Sequence, residues 1–421
     1  MEKICFGAAE IFLPDFGKTD GSKWSVVACD QYTSEPNYWN DVETNVGDAP
    51  STLNLMLPEL YLGESEARIP KIREAMERAL KDVLLAHPDA MIYLERVQSD
   101  GTVRHGIIGA VDLECYDYMA GSTSLIRATE GTVLERIPPR VAVRRGATLE
   151  LPHVMLLIDD RKQTVIEAIA PAARANAPIY DFDLMLGGGH VTGYLLDSDV
   201  QTSVLNALAD LATADGMLER YGDASLSPLL FAVGDGNHSL ATAKASYEEI
   251  KAQIGAEAAK QHPARYALAE VVNLHDDALN FEPIYRVVFN VDRADLIASL
   301  KSAVQTLHGS AAPQSVTVVT GDDTETLEIP TPEQQLTVGT LQHFLDTYLK
   351  NHPEASVDYI HGEDSLRTLA ASENAVGFLF DGMKKTDLFR TVLYDGALPR
   401  KTFSMGHAQD KRYYLECRKI R

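Results

Sequence analysis

Hydrophobic and polar positions along this chain follow two periods, and the sharpest change between them falls at residues 229–254. Leu229-Leu230-Phe231-Ala232-Val233 is an apolar run with the length of a buried strand. Beyond it, Leu, Ala, Tyr and Ile recur at helical spacing as far as about Ile254. Between the two lies Gly234-Asp235-Gly236-Asn237-His238-Ser239, so the pattern predicts strand, glycine-bracketed turn, helix. Elsewhere, Ile69 to Ala86 reads as a helix behind Pro70. Met91 to Val97 and Val103 to Tyr118 read as a hairpin across Ser99-Asp100-Gly101. Strands are predicted at Leu125–Ala128, His153–Ile158 and Phe281–Phe289, and helices around Ile166–Ala175, Asp199–Leu211 and Val338–Leu349. The fold class predicted is mixed α/β: a large mixed-sheet unit over 1–290 and a smaller C-terminal α/β lobe over 291–421, whose tail can return to the site.

Composition narrows the function. The chain has 421 residues, 45% hydrophobic and 24% charged, as expected of a folded soluble protein. No apolar run approaches the roughly 20 residues that span a bilayer. The N-terminus lacks a basic segment followed by a long apolar core, which argues against a signal peptide. Cys5, Cys29, Cys115 and Cys417 are scattered, which suits reduced thiols in a cytoplasmic protein and argues against a disulfide or zinc scaffold. A net charge of −23 argues against a protein that coats nucleic acid and disfavours adhesion to an anionic membrane. Against it stand two basic islands: five arginines between Arg127 and Arg145, and seven basic residues from Ala397 to Arg421. They either bind a small anion or pair with acids on a solvated surface. The partner expected is a small molecule; the sequence is silent on oligomeric state.

The turn at 234–239 is where chemistry is expected. Glycine permits positive φ and close approach of a ligand, and a helix start favours an anion. Asp235 is then either a catalytic group or a turn and cap residue, and His238 either a catalyst or a satisfied structural histidine. Neither G-x-G-x-x-G nor G-x-x-x-x-G-K-[ST] occurs here, and Gly187-Gly188-Gly189-His190 lacks those spacings too. H-E-x-x-H and G-x-S-x-G are absent. Cys29, beside Asp30, reads as a packing residue.

Four segments together resemble the family catalogued as domain of unknown function 1015. They are Ile126-Arg127-Ala128-Thr129-Glu130-Gly131-Thr132, Asp235-Gly236-Asn237-His238, Asn280-Phe281-Glu282-Pro283-Ile284-Tyr285-Arg286 and Leu398-Pro399-Arg400-Lys401-Thr402-Phe403-Ser404-Met405. More distantly, the D-G-x-H loop resembles that of the ParB and sulfiredoxin superfamily, which includes kinases of free L-serine. That resemblance implies a loop that cradles nucleotide phosphates and an acid elsewhere that activates the acceptor. The common loop continues with arginine; here Ser239 stands there, and Asn237 replaces a frequent second histidine.

The resemblance implies a nucleotide-dependent phosphotransferase on a small hydroxylated metabolite, free L-serine first among them, with ATP or ADP and Mg²⁺ as cofactors. Phosphoryl transfer needs positioning, cations on the phosphates and an acid toward the acceptor. Glu130 is the candidate base, Asp235 a metal ligand or proton acceptor, and His238 a phosphate contact or acid–base group. Arg127, Thr129, Gly234, Gly236, Asn237, Ser239, Arg286, Arg400 and Lys401 are the candidate nucleotide-binding residues. Against these roles, Glu130 can pair with Arg127, Arg286 can be a strand residue, and Arg400-Lys401 a solvated turn. Two alternatives stand: a non-catalytic nucleotide- or metabolite-binding regulator, and a hydrolase or lyase using Asp235 and His238 without nucleotide.

Overall fold

The computed structural model describes residues 4–119, 121–131, 137–151 and 153–421. Thr132, Glu135 and Arg136 of the motif and basic island lie outside the described residues. Two compact units result: Met1–Ala128, Thr132–Leu279 and Gly406–Arg421 form the first, Thr129–Gly131 and Asn280–Met405 the second. The last residues thus belong to the first unit.

That unit is built on a ten-stranded mixed sheet. Its strands, in chain order, are β1 (Phe6–Gly7), β2 (Ile92–Val97), β3 (Val103–Asp112), β4 (Tyr116–Asp117), β5 (Ile126–Ala128), β6 (Met155–Ile158), β7 (Tyr180–Asp183), β8 (His190–Leu195), β9 (Phe231–Asp235) and β10 (Tyr266–Asn273). The spatial order is β7-β8-β2-β3-β10-β6-β9-β5-β4, with β1 against β3. β9 lies inside the sheet, antiparallel to β6 and parallel to β5, which is why its sequence is an unbroken apolar run.

Alternate side chains leave the sheet on opposite faces. Tyr93, Ile107, Leu156, Phe231 and Val271 pack with helices Ile166–Ala173, Ser198–Leu211 and Asn237–Ile254. On the other face Ile92, Leu94, Ile108 and Leu268 pack with Trp39 and Val42 and with Tyr413, Tyr414 and Leu415 of the tail. The tail is pinned by two short antiparallel pairings, Tyr413–Tyr414 with Val26–Val27 and Arg418–Lys419 with Leu149–Glu150. Inside, Arg412 bonds Glu270 at 2.8 Å and Glu416 at 2.5 Å, while Arg104 reaches the other Glu270 oxygen at 3.2 Å.

The second unit holds a six-stranded sheet of β11 (Phe281–Phe289), β12 (Gln314–Thr320), β13 (Asp323–Ile329), β14 (Ser356–His361), β15 (Ala375–Leu379) and β16 (Phe403–Met405). Their order is β13-β12-β15-β11-β14, with β16 paired to the start of β11. Val287, Val319, Ile360 and Leu379 pack there on Leu366 and Ala370 of the helix Glu363–Ala370.

Two expectations are corrected. The helix predicted to Ala86 spans Ser65–Asp82, and Leu84–Ala90 is a strand paired with Ala9–Pro14. A distant partner there overrides the local period. The cysteines are not all reduced: Cys5 and Cys115 form a disulfide. They meet because the N-terminal strand β1 lies beside the end of β3, with Phe6 opposite Val111, and no sequence spacing announces that. The argument from cysteine scatter to a reducing compartment therefore falls. Among the described residues no helix is long and apolar enough to cross a membrane.

Candidate functional site

β9 ends at Asp235, Gly236 takes the left-handed conformation (φ 77°), and the helix Asn237–Ile254 begins at once. A side chain at Gly236 would be strained by that φ, and its Cβ would stand 3.0 Å from Val154 Cα. Gly236 is also the N-cap and, having no side chain, makes no side-chain cap bond. Asn237 turns inward, its Nδ2 donating to Val233 O at 3.4 Å; His238 and Ser239 are partly exposed on the first turn.

Asp235 accepts from the Gly236 N–H at 2.9 Å through Oδ1, while Oδ2 stands 3.3 Å from Lys411 Nζ. Both side chains are about one-fifth exposed, 23% and 20%. The antiparallel neighbour β6 begins at Met155, opposite Asp235, and His153 lies just before it. His153 Nδ1 is 2.8 Å from the Tyr414 hydroxyl, and Nε2 is 3.6 Å from Asp30 Oδ2. The Tyr414 oxygen also accepts from the Cys29 N–H at 3.2 Å. Burial pushes the Asp30 carboxyl up, but charge from His153 and Lys411 and a hydrogen bond from Gln31 outweigh it, leaving the group below the usual carboxylate range. Burial, with Asp30 alongside, pushes the Cys29 thiol up to about 12, so it is not a thiolate nucleophile. Among the described residues no group of three or more His, Cys, Asp or Glu is arranged to hold a metal ion.

The expected phosphate-binding arginines are committed elsewhere. Arg127, on β5, is buried and donates to the carbonyls of Ser124, Ser227 and Pro228 at 2.8–3.1 Å. Arg140 pairs with Glu59, Arg144 with Glu150 and Arg145 with Glu249. Each of the described arginines of this island is thus paired with an acid or with carbonyls.

The other candidates belong to the second unit. Glu130 bridges to Leu398, and Thr129 O accepts from the Leu398 N–H at 2.7 Å. Arg286 is fully buried; it donates to Gln342 Oε1, to Ile284 O and to Arg400 O, and lies over the Tyr359 ring. Arg400 bonds the Tyr359 hydroxyl and Asp346, both at 2.6 Å, and Lys401 is exposed with φ 55°. These residues cluster along 398–401, where Arg286 serves as a brace for the chain.

Sequence reasoning missed Asp30, His153, Lys411 and Tyr414. The only signals were a polar stretch after Cys29 and a basic tail, and nothing local joins them to Asp235.

Solved structures similar to this one include a free serine kinase in complex with AMP, 11% identical over 71% of this chain and 91% of that one, TM-score 0.35. Another is SbnI with a C-terminal truncation from Staphylococcus aureus, 9% identical over 71% and 82%, TM-score 0.33. A third is a conserved hypothetical protein from Pyrococcus furiosus, 10% identical over 72% and 95%, TM-score 0.33. Likeness at this level fixes neither activity nor ligand. No curated protein matches the sequence. The family described as Protein of unknown function (DUF1015) matches residues 16–348, and the chain belongs to it.

Proposed function

We propose that this protein is a nucleotide-dependent phosphotransferase acting on a small hydroxylated metabolite, with free L-serine the first acceptor to try. The observation that carries the reading is the β9–Gly236–helix junction, with the ion pair of Asp235 and Lys411 at it and the Asp30–His153 pair beside the neighbouring strand. A helix start of this kind favours phosphate oxygens. Gly234, Gly236, Asn237, His238 and Ser239 would line the phosphate chain of ATP or ADP, and Asp235 would hold its Mg²⁺, which supplies charge neutralisation when bound. Asp30 is the candidate within the first unit for the base that orients the acceptor hydroxyl, and Glu130 is the base that the family resemblance implies. The cytoplasmic location belongs to this proposal.

Calorimetric titration of ATP, ADP and CTP with Mg²⁺ into the wild type and Asp235→Asn tests the reading. Micromolar binding weakened by the substitution supports it; a wild type that binds no nucleotide removes it. Turnover with Asp30→Asn and Glu130→Gln then decides the base, whose loss lowers kcat by about 10²-fold or more with nucleotide affinity little changed. A non-catalytic binder is the second reading, favoured by the commitment of Arg127 to main-chain carbonyls and by Ser239 on the loop. Steady turnover of any acceptor excludes it.

A further inference from the structure

Resting on the nucleotide reading above, we infer that Lys411 is the cation that meets the nucleotide's phosphate chain, delivered to the site by the C-terminal tail. The described arginines of the 127–145 island already have partners: Arg127 holds carbonyls of Ser124, Ser227 and Pro228, and Arg140, Arg144 and Arg145 each hold a glutamate. Lys411 differs from them. It stands 3.3 Å from Asp235 Oδ2, at the residue where β9 gives way to the helix, and remains partly exposed.

The segment around it is held on both sides. Asp410 accepts from Ser99 N at 2.7 Å and Ser99 Oγ at 2.8 Å. Arg412 is buried against Glu270 and Glu416, and its carbonyl accepts from the Ala28 N–H at 3.0 Å. Tyr413 and Tyr414 then pair with Val27 and Val26. One lysine between two anchored neighbours is fixed in place before any ligand arrives, which lowers the entropic cost of using it.

Its chemistry suits exchange. An ammonium is a compact charge with three donors, and a single partly exposed carboxylate contact is a weak hold on it. A phosphate oxygen can therefore replace Asp235 as its partner, which leaves the Asp235 carboxylate for the metal. Charge from Lys411 also helps to hold the Asp30 carboxyl below the usual carboxylate range, after His153 and Gln31. The lysine thus supplies from the end of the chain the cation that Ser239 does not provide on the loop.

The test is calorimetric titration of Mg-ADP, and separately of inorganic pyrophosphate, into the wild type, Lys411→Met and Lys411→Arg, with thermal melts of all three. The expected result is a loss of Mg-ADP affinity of about 10- to 100-fold in Lys411→Met, as for one charge-assisted hydrogen bond, with a smaller loss in Lys411→Arg. Unchanged Mg-ADP affinity in Lys411→Met overturns the role of Lys411 and leaves the nucleotide reading standing. If the wild type binds pyrophosphate but no nucleotide, and Lys411→Met loses the pyrophosphate, the nucleotide reading is wrong and the anion-binding lysine stands. A wild type that binds neither overturns both. Should Lys411→Met melt early, Lys411→Arg carries the comparison, and full affinity loss in a stable Lys411→Arg also counts against a charge-only role.

Discussion

Lys411 and Arg412 are adjacent in the tail, yet they sit in opposite electrostatic surroundings. Arg412 closes a dry network in which two arginines, Arg104 and Arg412, face two glutamates, Glu270 and Glu416, all of them almost fully buried. Lys411 is partly exposed and pairs with Asp235 at 3.3 Å, and its charge also acts on Asp30. The closed set is buried and mutually paired, and it holds the tail. The open set can change partners. Net basicity of a segment therefore says little; what matters is which of its charges are already satisfied.

The largest test of this contrast is Arg412→Met. It leaves Glu270 and Glu416 short of a buried partner, and a destabilisation of about 3–5 kcal/mol is expected by denaturant unfolding. Lys411→Met, one residue away, is expected to cost under about 1 kcal/mol in the same assay while weakening phosphate binding. Equal destabilisation by both would erase the distinction between a holding charge and a working one.

Acid sharpens the comparison next. Burial raises the Glu270 and Glu150 carboxyls, but their arginines outweigh it and both end below the usual glutamate value. Their stabilisation is fully present above the unfolded glutamate pKa, roughly 4.3, and is lost as pH falls through the lower folded values. Unfolding free energy followed between neutral and acid pH should fall over that window in the wild type, and fall less steeply in Glu150→Gln. A flat profile would mean the buried pairs do not set acid stability.

The smallest effect is expected at the sheet edge. His190 bonds Asp183 through Nδ1 and Asp181 through Nε2, each at 2.7 Å. Burial lowers its pKa, but the two carboxylates outweigh burial and raise it. Its contribution is present below the unfolded histidine pKa and lost as pH rises through the folded value. His190→Gln should flatten only that shallow slope in a pH series of melting temperatures, because the site is too exposed for more.

What could be read from the sequence follows from what is local. The strand–glycine–helix run at 229–254 is contiguous, so period and turn chemistry disclose it, and Phe281–Phe289 is legible for the same reason. Leu84–Ala90 was hidden, because its strand character comes from Ala9–Pro14. The disulfide was hidden because β1 and the end of β3 meet only in the folded sheet. Asp30, His153 and Lys411 were hidden as a group: each is ordinary in its own window, and the sheet joins them. The carbonyl partners of Arg127 and Arg286 were hidden too, because an arginine that braces carbonyls has the same letter as one that awaits a phosphate.

The tail's position has a consequence in time. The first unit is discontinuous, with residues 280–405 intervening before Gly406–Arg421 complete it. During synthesis from the N-terminus, the chain makes the Asp235 loop, then all of the second unit, and only afterwards the segment that covers one sheet face and neutralises Glu270. Until Arg412 emerges, Glu270 has Arg104 but not its second cation, and until Lys411 emerges the loop lacks its own. Completion of the first unit therefore waits for the last residues made, and a chain that ends before them lacks the segment that covers one sheet face and the second cation on Glu270.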